Sequence, residues 1–126
     1  GKFLILENKL YCQHMKFFVT YQMPHSGLDA WMQLPEEERK AQELQMQSEW
    51  NEWIASHKDM IVETIGVGKP KRITSGGVED ARNDIMMYSI VEAESHDDAA
   101  KAFEGHPHFG IPGASIEVMS MNKNVG

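Results

Sequence analysis

The sequence predicts one mixed α+β domain whose chain runs strand, helix, strand, strand, helix, strand. Three stretches carry that expectation. Residues 15–23, MKFFVTYQM, alternate in the period of a strand, with Phe17, Val19, Tyr21 and Met23 on one side and Phe18, Thr20 and Gln22 on the other. Met46, Trp50, Trp53, Ile54 and His57 recur at helical spacing and form one apolar stripe. From Ser95 to Met121 the chain holds a helix start, a helix stop, a His-Pro-His connection and a closing alternating strand.

In order, residues 1–14, GKFLILENKLYCQH, break the pattern and read as an N-terminal extension, either an upstream segment or a non-native remnant. Phe3 to Leu6 is too short for a signal-peptide core, and its apolar character suggests docking on a strand edge or a neighbouring subunit. Met15 starts the first strand. After Pro24-His25-Ser26-Gly27, Ser26 with Asp29 predicts a short capped helix. Pro35 at a first helical position, followed by three glutamates, then opens the long one, because proline has no N–H to lose there and carboxylates meet the positive end of the dipole. Met60 to Val67 makes the second strand, Ser75-Gly76-Gly77 a turn region, and Asp84 to Ala93 the third strand. Ser95 followed by Asp98 is a capping pattern, and Gly105 supplies the left-handed stop. Ile116 onward is the last strand.

This order is that of the ferredoxin-like βαββαβ fold, in which right-handed crossovers lay both helices on one face of a four-stranded antiparallel sheet. The other face is then left bare. In the third strand Ile85, Met87 and Val91 oppose Met86, Tyr88 and Ile90, so both faces are apolar. A bare apolar face of that size calls for a cover, and a second copy related by a two-fold axis is the simplest one. The expected assembly is a homodimeric α/β barrel.

Composition sets bounds on function. A chain of 126 residues with 41% hydrophobic content suits a single domain, here residues 15–122, with 123–126 as a tail. A net charge of −7 excludes a basic nucleic-acid surface; Lys69, Lys71 and Arg72 cluster, and a solvated hairpin end accounts for them. No apolar run is long enough to span a membrane. The single cysteine, Cys12, excludes an internal disulfide and fits a reducing cytoplasm.

No phosphate-cradling loop, cysteine-rich metal cage or nucleophile elbow is present, so no motif requires a cofactor. Histidine is what remains. His106 precedes Pro107 and is biased to extended backbone, where residues i and i+2 project to one side, so His106 and His108 can converge. With His25 or Glu117 as a third donor they make a candidate metal site, or they polarise a substrate oxygen. The competing reading is a stiff connection whose imidazoles bond to backbone. His25 and Tyr88 are the expected polar neighbours of the pair, and Trp53 either packs the core or lines the pocket. His96 reads as surface.

The order of elements, the segment ITSGGVEDARNDIMMYSIVEAESHDDAAKAFEGHPHF and the ending PGASIEVM together resemble the YCII-related proteins of the dimeric α/β-barrel superfamily. Residues 75–88 lie without a gap on a family stretch that opens with the tetrapeptide DGPF, here Ser75, Gly76, Gly77 and Val78, and ends in a tyrosine. The resemblance spans roughly Met15 to Met121. Family members often carry a histidine on the first long helix, suggested to act with an aspartate; that position falls at or beside Gln47, and glutamine is no general base. Two functions stand as alternatives: a small-molecule binder or enzyme with a pocket near sheet and helices, and a non-catalytic dimeric interaction module.

Overall fold

The computed structural model describes residues 15–121; the proposed extension, with Cys12, and the tail lie outside that range. Strand β1 is Met15–Gln22, helix α1 His25–Met32, helix α2 Glu36–His57 and strand β2 Ile61–Gly66. Strands β3 (Lys71–Thr74) and β4 (Gly77–Asp80) come next, then β5 (Ile85–Ala93), helix α3 (His96–Ala102), a 3-10 turn over Pro107–Gly110 and strand β6 (Ser115–Ser120).

Four strands form one sheet in the order β2-β5-β1-β6, every neighbouring pair antiparallel. Alternation decides its faces. Phe17, Val19 and Tyr21 of β1, with Val91 of β5, are sealed on one side together with Trp53 of α2 and Ala99 and Phe103 of the α3 end, so α2 and α3 share that face. Ile116 and Val118 of β6 and Ile61 of β2 pack at its margin. On the other side Phe18 stacks on Tyr88 at 5.3 Å, and Ile65 and Met119 stay open. That side is more polar than the alternation alone suggests. The Tyr88 hydroxyl donates to Glu63 at 3.3 Å, and the Gln22 side-chain amide donates to Thr20 and to Glu117.

Local chemistry explains the boundaries. Ser95 accepts the Asp98 N–H at 3.0 Å, and Gly105 stands at φ +71, so α3 starts and stops where the sequence says. The start of α1 differs: Pro24 is its cap and no side chain caps it, because the helix begins at His25, which puts Ser26 inside the first turn rather than at the cap position from which its hydroxyl would accept the Asp29 N–H. Pro35 likewise caps α2 from outside rather than opening its first turn. The turn region at Ser75 turns out to be the tip of a separate two-stranded hairpin, β3–β4, whose residues are all exposed. Lys71 pairs with Asp80 and Arg72 with Glu79 across it. No helix among the described residues is long and apolar enough to cross a membrane.

Candidate functional site

Two groups of polar side chains sit on the helix-bearing side, and they differ in how tightly they are closed. The first surrounds His106. Its backbone is extended, as the adjoining proline requires, but Pro107 then starts a 3-10 turn, so His106 and His108 do not stand on one side of a straight segment. The His108 backbone N–H donates to His106 Nδ1 at 2.9 Å. Neutral His106 therefore carries its proton on Nε2, and that atom is buried without a partner. Around the ring stand Trp53 at 4.4 Å, Trp50 at 4.5 Å, Tyr21 at 5.5 Å and Phe103 at 5.8 Å between centroids.

His108 is fully buried, and its Nε2 donates to the Gln22 carbonyl at 2.8 Å, which leaves Nδ1 as an unpartnered acceptor. Burial, reinforced by the neighbouring His108 and His57, lowers the His106 pKa to about 4. Burial lowers that of His108 too, against the opposing pull of the Gln22 and Ser115 backbone. Both rings are neutral at physiological pH. Beneath them Tyr21, Ser89 and Thr64 join hydroxyls across β1, β5 and β2, at 2.7 Å in each step. Burial raises the Tyr21 pKa, with the Ser89 bond opposing.

The second group is open. Where β1 ends and β5 begins, the Met23 N–H donates to the Asp84 carbonyl at 2.8 Å, and His25 Nε2 lies 3.9 Å from the Asp84 carboxylate. A cleft of about 290 Å3 runs past this pair, bounded by α1, by the approach to the hairpin at Lys69 and Pro70, and by Arg82 and Asn83. Met23, Leu28 and Met86 also wall a chamber of about 210 Å3, completed by Trp31, Gln42, Glu43, Met46 and Ile111. The chamber is almost wholly apolar. Its α1 wall is pinned: a Cβ on Gly27 would lie 2.8 Å from the Pro112 carbonyl, so only glycine lets the helix approach the loop before β6 so closely.

The structure thus brings Trp53, His106 and His108 into contact through the aromatic box. It places Tyr88 on the opposite sheet face, because Tyr88 pairs with Thr20 while Tyr21 pairs with Met87. It places His25 in the cleft with Asp84. The three-donor metal arrangement does not form: each buried imidazole has one nitrogen in a backbone bond, Glu117 engages Gln22, and no group of three histidine, cysteine, aspartate or glutamate side chains gathers to hold an ion among the described residues. His96 is exposed, in line with its surface reading from the sequence, and it also donates from Nε2 to the Val118 carbonyl at 2.7 Å and stacks on Phe17 at 5.4 Å, tying α3 to the sheet. Gln47 is exposed on α2.

Asp84, Met46 and Trp31 were not marked by the sequence as site residues. A usable signal existed for the first: if β1 and the third sheet strand pair antiparallel, the residue before β5 must face the residues after β1, as Gln22 opposite Ile85 shows. No protein-family profile matches the chain, and no curated protein matches it. Among solved structures, a hydantoinase/carbamoylase family amidase from Burkholderia ambifaria aligns over 87% of this chain with 14% identity and a TM-score of 0.25. The chain spans 27% of that protein's length, and a similarity this low carries neither fold nor function.

Proposed function

We propose that the chain is a YCII-like protein of the dimeric α/β-barrel superfamily that binds a small organic molecule in the cleft between α1, α2 and the ends of β1 and β5. The antiparallel order β2-β5-β1-β6, with α2 and α3 on one face, supports the ferredoxin-like part of that reading. One observation carries the function: an apolar chamber shares three wall residues with a polar cleft holding a histidine–aspartate pair. Pockets that combine an apolar bulk with a few convergent polar groups are where small ligands bind. His25 would orient a polar substituent there, backed by Asp84.

The methionine methyls give the test. Met23, Met46 and Met86 line the chamber, and in a fragment screen followed by 13C-methyl NMR their resonances should move together while those of Met119 and Met121 stay. Fragments that leave all three unmoved would remove the cleft as a binding site.

The interaction-module reading draws on the other sheet face, where Phe18, Tyr88, Ile90, Ile65 and Met119 lie together with a polar margin. Homodimerisation through that face is compatible with either function, and light scattering at micromolar concentration should give twice the chain mass. With a single cysteine in the chain, we assign a cytoplasmic location.

A further inference from the structure

We infer that the cleft takes an amphipathic carboxylic acid, with its apolar tail in the chamber and its carboxylate at Lys69 and Arg82. This rests on the small-molecule reading of the cleft and adds the ligand class to it. The chamber sets the tail. At roughly 30 Å3 for each water-sized group, 210 Å3 holds on the order of seven heavy atoms, and its walls offer thioether, aliphatic and indole surface with scarcely any polar area.

The head is set by charge. Lys71 and Arg72 are engaged by Asp80 and Glu79 across the hairpin, whereas Lys69 and Arg82, which line the cleft, have no ion pair among the described residues. Two cations without an ion-pair partner among the described residues share this mouth, on a chain of charge −7. Asp29 and Asp84 line the same cleft, the latter facing His25, so the formal charges of the lining balance, and one negative charge seated on the two cations is favoured over a dianion such as a phosphate ester, which the aspartates repel more strongly. A guanidinium takes a carboxylate through two parallel N–H bonds, which fixes the head while the tail lies in the chamber.

Calorimetry on the full chain with octanoate, octanol, octylamine and octyl phosphate at low ionic strength tests this. Octanoate should bind about tenfold more tightly than octanol, the range of one charge-assisted bond, and the preference should shrink in high salt. In a Lys69→Gln, Arg82→Gln variant the preference should fall to near unity, with octanoate losing far more affinity than octanol. Equal binding of octanoate and octanol, tighter binding of the amine or the phosphate, or a preference that survives in the double variant would each overturn the carboxylate assignment. If octanol moves the Met23, Met46 and Met86 methyls while octanoate does not bind, the carboxylate assignment fails and the cleft stands; if none of the four ligands binds or moves those methyls, the inference fails, and the fragment screen decides the cleft separately.

Discussion

The two halves of α2 handle histidine in opposite ways. Toward the C-terminus Trp50 and Trp53 close over His106 so completely that 2% of its surface reaches solvent. Toward the N-terminus Met46 faces Leu28, Trp31 and Met86 across empty space, and His25 stands at the mouth, exposed. Large flat rings leave no room around an imidazole; flexible methionines and one leucine do. The difference separates a histidine that specifies the core from one available to a ligand. It also shows why buried polar atoms alone do not mark a binding site, since the orphan nitrogens of His106 and His108 have no cavity beside them among those that line the cleft or chamber.

The contrast breaks most readily at Trp53. Truncation to alanine empties the centre of the box and should cost about 3–5 kcal/mol in urea unfolding, while the chamber methyls keep their ligand response in the folded fraction. A smaller loss, under about 1 kcal/mol, would mean that the box is looser than its ring contacts suggest.

Acid should have the next largest effect. His106 has a folded pKa of about 4, below its ordinary value near 6.5, so as pH falls the unfolded chain takes the proton first. The stability it contributes is whole above the ordinary value and drains away as pH falls toward 4, on the order of 3 kcal/mol by the end. His108 adds in the same sense. His106→Asn keeps an acceptor for the His108 N–H and removes the titration, so its urea midpoint should slope less between pH 6.5 and 4 than that of wild type.

Tyr21→Phe should cost about 1 kcal/mol, since it removes one end of the hydroxyl chain and leaves Ser89 with Thr64. In α1, beside the cleft, His25→Ala and Leu28→Ala should change stability by under about 0.5 kcal/mol, because both residues are exposed. Leu28→Ala should nonetheless weaken octanol binding, as it takes away a wall of the chamber.

The four strands of the main sheet, the long helix and the cap at Ser95 were legible because alternation, helical spacing and side-chain capping are local properties of the chain, whereas the short exposed strands β3 and β4 showed only as a turn. The box around His106 was legible in part: Trp53 and both histidines were named, but the role of Trp50 as a ring wall depends on where α2 crosses the sheet. The 3-10 turn at Pro107 was not legible, because proline fixes its own φ and restricts the residue before it, yet leaves the residues after it free. The cleft was the least legible. The walls of its chamber come from Met23 after β1, from α1, α2, β5 and the loop at Ile111, and no sequence pattern records which small gaps such distant segments leave between them.

The position of β1 governs how the molecule assembles. It is an inner strand, yet its neighbour β6 is pinned to it by pairs such as Phe17 with Ser120, about 100 residues apart in the chain. The hairpin β3–β4 can zip on the microsecond scale, but closure of β6 onto β1 demands the longest loop in the sheet and so weighs on the folding rate. Until it closes, one edge of β1 offers unpaired backbone to any passing strand. A refolding experiment should find β1 and β6 amides protected late and together, and this interval is when the protein is most prone to self-association.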